Sequence, residues 1–335
     1  KLSSTASVKA WFESIMIKSV SVFALVVLFR FSSGQDLFLT TAFENPEDDM
    51  DWETFQRVFG KTYDREEVET KRAAFEGNRD LVKRHNAEAD EGKHTFRVSL
   101  NPLSDLTRAE YKKHYLGFIP AKHKSSGIPF VPGNDPPPAS VDWRTNGAVT
   151  PVKDQGSCGS CWSFSATGSL EGHYQIATGK LRSLSEQQLM DCSRPEGNQG
   201  CGGGAMTQAF DYISVNKGID GEDEYGYTGT DTEPCWTAAE KRHLAALSNY
   251  SSIPSGNEDA LVAAVVFGPV SVAIEADQSA FQHYKTGVFS ATCGTKLDHG
   301  VLVVGYTAHA FIVKNSWGAT WGEKGYIRMK RGSNI

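Results

Sequence analysis

The sequence predicts an α+β chain whose larger part folds as two lobes with a cleft between them. Helical periodicities crowd residues 161 to 215, whereas alternating apolar residues dominate after Gly268-Pro269. Ahead of both lies a charged helical stretch over 51–91, set off by a Pro-rich connection at 119–140. A length of 335 residues suits about two domains.

Taken in order, residues 1–34 read as upstream sequence and a secretory leader starting at Met16. Lys18 precedes an apolar run, Val20 to Phe29, of about ten residues, too short to span a bilayer, and Ser32-Ser33-Gly34 offers small residues for cleavage. A net charge of −6, a pI near 5.9 and the lack of a basic stripe exclude a nucleic-acid binder. All six cysteines fall between Cys158 and Cys293, which with the leader suits an oxidising compartment: the secretory pathway, the lysosome or the exterior.

Between 51 and 91, Trp52, Phe55, Phe59 and Tyr63 precede Phe75, Asn78, Val82 and Asn86, whose spacing of three and four puts them on one helix face. The connection at 119–140 carries Pro120, Pro129, Pro132 and Pro136-Pro137-Pro138 and reads as an extended linker. A helix is expected over 161–178. Ser185 with Gln188 three later caps a short helix at 186–191, and another helix runs from Ala205 to Val215. A helix from Glu258 ends at Phe267, and Val301 to Tyr306 with Phe311 to Lys314 form a hairpin. Asn249-Tyr250-Ser251 is an N-glycosylation sequon.

The chemistry centres on Gln155-Gly156-Ser157-Cys158-Gly159-Ser160-Cys161-Trp162. Two cysteines three apart suit a zinc half-site, a redox pair, or a nucleophile beside a structural cysteine. No His or Cys pair supplies the other half of a zinc site, so no metal or cofactor is expected. The pattern instead matches a nucleophile signature with His and Asn about 130–150 residues downstream; His299 and Asn315 follow Cys161 by 138 and 154 residues. A thiol attacks only as thiolate, and a cysteine at a helix N-terminus has the positive end of the dipole beside it.

Of the nine histidines, topology selects one. His173 lies 12 residues along the same helix, about 18 Å away. If Tyr306 pairs with Phe311, residues 299–302 lie beside 315–318, while His309 sits in the turn roughly 20 Å off at about 3.3 Å per residue. His299 and Asn315 are thus neighbours. His85, His94, His114 and His123 precede the expected maturation point, and His243 and His283 read as surface residues.

From about residue 51 onward the chain resembles the papain family of cysteine proteases, in its cathepsin L-like precursor form. The resemblance implies a helical left lobe, a β-barrel-like right lobe and a helical inhibitory propeptide in front, with domains at 35–137 and 138–335 and maturation near 134–140. The face carrying Phe75, Asn78, Val82 and Asn86 is similar to the interspersed propeptide motif, whose leading Glu falls here at Val68 between Glu67 and Glu69. A second motif, Gly-x-Asn-x-Phe-x-Asp, appears as Ser99-Leu100-Asn101-Pro102-Leu103-Ser104-Asp105 with two markers replaced.

Further roles come by the same resemblance. Cys161 and His299 form the reacting pair, Asn315 orients the imidazole, Trp317 shields that contact, and Gln155 with the Cys161 N–H forms the oxyanion hole. Gly203 and Gly204 form a backbone wall for substrate, with Ala205, Met206, Ala273, Leu297 and Asp298 around an apolar pocket for a bulky side chain. Cys158 pairs with Cys201, and Cys192 with Cys235. The cysteine expected opposite Cys293 would follow Ser333-Asn334-Ile335, so the sequence reads as C-terminally truncated. No paired-histidine insertion of the cathepsin B type is present, which favours an endopeptidase. Expected partners are protein and peptide substrates, the protein's own propeptide and cystatin-like inhibitors, with no nucleic acid, no membrane for the mature form, and a monomeric state. The rival reading is a non-catalytic binding protein that keeps the fold, or one that acts through its propeptide as a protease inhibitor. It lacks support because nucleophile, His, Asn and Gln are all present.

Overall fold

The structure is a computed structural model and describes residues 49–121, 126–232, 234–236 and 242–332. The leader and the extreme C-terminus lie outside them. In chain order the elements are α1 (Trp52–Phe59), α2 (Val68–Asp90), β1 (Phe96–Val98), α3 (Arg108–Tyr115), β2 (Ile128–Pro129), β3 (Val141–Asp142), α4 (Cys161–Thr178), α5 (Glu186–Cys192), α6 (Met206–Asn216), β4 (Ser251–Ser252), α7 (Glu258–Val265), β5 (Val270–Ile274), α8 (Ser279–Gln282), β6 (Tyr284–Phe289), β7 (His299–Tyr306), β8 (Ala310–Lys314) and β9 (Tyr326–Lys330).

Side-chain caps set half of the helix starts. Asp51 accepts the Thr54 N–H at 2.7 Å to begin α1, and Gly60 closes it in the left-handed region at φ 62°. Ser185 and Asn257 do the same for α5 and α7, accepting from Gln188 and Ala260 at 2.9 Å each. Thr107 and Glu110 form a reciprocal capping box on α3. Two prosegment elements were not expected: α3, and β1, which the structure adds to the sheet.

The helical lobe packs α4, α5 and α6 around Trp162, Leu184, Leu189, Met190 and Ile213. The first twelve residues of α4 are all buried, as befits a helix surrounded by other elements. Disulfides Cys158–Cys201 and Cys192–Cys235 clamp this lobe. In the strand lobe the sheet runs β1-β6-β9-β8-β7-β3, with β5 also on β7, among the described residues. β7 is buried along its whole length. Tyr306 does pair with Phe311, as the hairpin reading requires, and a bulge between Val303 and Gly305 shifts the register beyond it. The sheet path is open at β1 and β3, so the expected barrel-like lobe does not close into a ring among the described strands.

One apolar cluster joins the strand lobe to the prosegment. Phe281, Tyr284, Phe289, Trp317 and Trp321 share it with Trp52, Phe55, Phe75, Phe96, Leu103 and Tyr111. His283, expected at the surface, is fully buried at the end of α8. There Nδ1 meets the Ser279 carbonyl at 3.0 Å, and the prosegment's Ser99 N–H donates to the His283 carbonyl at 2.8 Å. The covering strand, unseen in the sequence, is why the surface reading fails. Between the lobes runs a buried polar seam. Lys314 Nζ donates to Thr150 Oγ1 at 2.9 Å, Thr150 to Glu171 at 2.6 Å, and Lys153 Nζ to Glu186 at 2.6 Å.

Candidate active site

Cys161 opens α4 and is fully buried. The Gly300 N–H, at the start of β7 and next in sequence to His299, donates to the Cys161 Sγ at 3.3 Å. His299 Nε2 lies 2.8 Å from Asn315 Oδ1. An amide oxygen only accepts, so Nε2 carries the proton and Nδ1 keeps the lone pair. Nδ1 is buried without a hydrogen-bond partner. Trp317 packs on the His299 ring at 4.8 Å and is 4% exposed, so water is kept from that contact.

Gln155 is oriented from three sides. The Ser316 hydroxyl donates to its Oε1 at 2.6 Å, which turns Nε2 towards the Cys158 carbonyl at 2.8 Å and the Tyr115 carbonyl at 3.1 Å. Its backbone N–H donates to the Ser316 carbonyl at 2.8 Å, and its carbonyl accepts from Tyr227 at 2.7 Å. Sequence reasoning named neither Ser316 nor Tyr227. The first was available as the residue after Asn315, but nothing in sequence points to the second.

The cleft is filled by the prosegment, as an inhibitory propeptide requires. Gly204 donates to the Gly117 carbonyl and accepts from the Ile119 N–H, both at 2.9 Å, while the Phe118 N–H donates to the Asp298 carbonyl at 2.9 Å. The Gly117 amide also points at the Cys161 sulfur. A Cβ on Gly117 would fall 1.9 Å from the Gly159 carbonyl oxygen, so only glycine allows this approach. Phe118 pairs with Gly204 in parallel sense, and its side chain packs against the helical-lobe core. Gly203 lies against the same stretch, with its hypothetical Cβ 2.7 Å from the Gly117 carbonyl. Ala205 and Met206 are buried there and Ala273 is half-buried, but Leu297 is 38% exposed and takes no part in that apolar cluster.

Burial overrides the helix dipole in this sealed state. It pushes the Cys161 thiol up to about 11, against the lowering effect of the Gly300, Gly117 and Trp162 amides, and it pulls the His299 imidazole down to about 4. With the prosegment in place the pair is thus a neutral thiol and a neutral imidazole. Asp298, also raised by burial, to about 6, accepts the Ala276 N–H at 2.8 Å. No group of three or more His, Cys, Asp or Glu residues able to hold a metal is found among the described residues.

Residues 137–335 match the papain family of cysteine proteases, and residues 52–111 match the cathepsin propeptide inhibitor domain. The chain belongs to the papain family. It is 45% identical over 293 residues to digestive cysteine proteinase 2 of Homarus americanus, a match covering 84% of this chain and 90% of that one. Cathepsin L2 of Homo sapiens is 43% identical over 297 residues, covering 85% and 88%. Among solved structures, a digestive procathepsin L2 proteinase from Tenebrio molitor larval midgut superposes with a TM-score of 0.78 at 36% identity, covering 84% and 94%. The protein is therefore a cathepsin L-like cysteine protease made as a zymogen.

Proposed function

We propose that the mature enzyme is an endopeptidase of the secretory pathway, acting in the lysosome or outside the cell as a monomer, with the domain boundaries given above. Cys161 gives its proton to His299 Nδ1 and attacks the peptide carbonyl as thiolate. Gln155 Nε2 and the Cys161 N–H hold the oxyanion, and a side-chain amide so placed contributes about 3 kcal/mol. The His299 imidazolium then protonates the leaving amine, which leaves a thioester. His299 next takes a proton from water, the hydroxide attacks the thioester, and the acid leaves as the thiol re-forms. Asn315 keeps the imidazole turned for both transfers. Ala205, Met206 and Ala273 favour a bulky apolar residue two before the cut.

The observation that carries this reading is the polarity of the prosegment. The carbonyl held at Gln155 belongs to Tyr115, and the residue lodged at Gly204, Phe118, lies C-terminal to it. A substrate whose scissile carbonyl sat at Gln155 would put residues N-terminal to that carbonyl over Gly204. The prosegment therefore runs backwards and sets an amide, not a carbonyl carbon, before the sulfur. Residues 131–140 are all exposed, which suits the maturation cut near 134–140.

To test it, the zymogen is held at pH 4.5 with thiol reductant and an epoxide inhibitor of papain-like enzymes, and the adduct is located by mass. Labelling of Cys161 alone, with a new N-terminus near 134–140, is the expected result. Cleavage of a short peptide should fall at least about 1,000-fold in Cys161→Ala. Undiminished cleavage by that variant would sink the assignment.

A further inference from the structure

Beyond the cleft, the prosegment is held at a second place that inhibition does not require. Residues 126–130 lie along β4 as a short parallel strand. The Ile128 N–H donates to the Tyr250 carbonyl at 3.0 Å and the Phe130 N–H to the Ser252 carbonyl at 2.8 Å. The Ser126 hydroxyl and the Tyr250 phenol both donate to Asp211 on α6, the second at 2.9 Å. Gly127 lies flat on the Tyr250 ring, where a Cβ would come within 2.6 Å of Cε2. Phe130 meets Phe267 edge-on at 6.4 Å, and Phe267 is 60% exposed even with this cover in place.

Every group that receives the strand belongs to the peptidase and stays behind once the prosegment leaves. The strip is also continuous with the cleft. α6 begins at Met206, beside the apolar pocket, and Asp211 is five residues further on, about 7.5 Å along the axis. Substrate residues that pass out over Gly203 and Gly204 are thus directed towards it. Two carbonyls two residues apart on an open strand edge accept amides from a strand of either polarity.

We infer that β4, with Asp211, Tyr250 and Phe267, is a docking strip on the mature enzyme for an extended segment of its protein substrate. The resident strand defines the chemistry it takes. That chemistry is a hydrogen-bond donor or cation at Asp211, a residue without a side chain on Tyr250, and an aromatic or large aliphatic residue three further on at Phe267. Folded proteins and very short peptides cannot use it; unfolded chains can. This inference rests on the endopeptidase reading.

The test compares mature wild type with Asp211→Ala/Phe267→Ala on a short fluorogenic peptide and on casein. Loss of the carboxylate and the ring should lower kcat/KM on casein about fivefold, mostly through KM, and leave the short peptide unchanged. Because the variant could fold poorly, wild type is also challenged with a synthetic peptide of residues 126–131, which should inhibit casein cleavage but not short-peptide cleavage. Equal losses on both substrates, no loss on either, or a peptide that inhibits both assays or neither would overturn the inference. A mature enzyme inert on the short peptide would sink the endopeptidase reading. Binding of the labelled 126–131 peptide, followed by anisotropy with and without the two substitutions, would then decide the strip by itself.

Discussion

The two lobes that flank Cys161 are completed in different ways. The helical lobe closes largely on itself: two disulfides span it, its core residues come from its own helices and loops with Ala273 of β5 packed alongside, and among the described residues the prosegment lends it only the half-buried Phe118. The strand lobe keeps an aromatic core open on one side, and Trp52, Phe55, Phe75, Phe96 and Tyr111 of the prosegment fill it. β1 of the prosegment even extends its sheet by pairing with β6. The inhibitor is thus built as an extra layer of one lobe and touches the other chiefly through backbone hydrogen bonds. That division separates stability from inhibition. The shared core anchors the prosegment, and the thin backbone ribbon over Gly204 blocks the cleft.

The sharpest way to break this comparison is Phe281→Ala. Its ring is fully buried and lies within 6.2 Å of Phe289, His299, Trp317 and Trp321. Truncation should destabilise the zymogen by about 3–5 kcal/mol in urea unfolding. A loss below about 1 kcal/mol would mean that the shared core is not where the strand lobe's stability resides.

A smaller effect is expected at Tyr111→Phe. This buried phenol donates to the Ala276 carbonyl at 2.7 Å, across the seam between prosegment and strand lobe. Leaving that acceptor unpaired should cost about 1–3 kcal/mol, which weakens the prosegment's hold roughly tenfold to a hundredfold. Hydrogen exchange in α4 and α5 should not change. Faster exchange there would show that the lobes are not independent in the way described.

The smallest expected effect is a shift in the acid trigger. His85 stacks on His94 with ring centroids 4.1 Å apart, next to β1. Burial, joined by the charges of His94 and Arg97, holds its imidazole below the ordinary 6.5, against the Phe96 carbonyl and Glu88. A depressed imidazole contributes stability fully above pH 6.5 and loses it as pH falls below that value. Asp277 behaves differently. Burial pulls its carboxyl up, but Lys112 and Arg108 of α3 outweigh this and hold it below the ordinary 3.8, so its contribution survives until pH drops under 3.8. Loosening between pH 6.5 and 4 therefore comes from imidazoles held down by burial: His85, and also His283 and His299, each pulled down to about 4. His85→Phe should move the midpoint of zymogen activation down by about half a pH unit. An unmoved midpoint would show that His85 takes no part in the trigger and leave it to other groups, the buried His283 and His299 among them.

Much of this was legible in the sequence, for definite reasons. α4 opens on a recognisable signature, β7 and β8 are nearly continuous apolar runs, and Cys161, His299 and Asn315 sit in flanks specific enough to be named. What escaped was held by contacts between segments far apart in sequence. α3 is an exception, because Thr107 and Glu110 spell its capping box openly. β1 has three residues and becomes a strand only because β6 offers an edge. His283 looked polar and exposed because no local pattern reveals the prosegment strand that covers it. Gly117 could not be singled out from the other glycines by any local rule, since its role lies in how near it comes to Gly159.

That last contact has a genetic consequence. Any single-base change that replaces glycine with another amino acid brings at least a Cβ, and a Cβ at 117 collides with the main chain of Gly159. No missense mutation of that codon is conservative in this setting, so the silence of the precursor rests on one position with no tolerated neighbours. Lineages that keep this zymogen quiet should hold that glycine fixed while the residues around it drift.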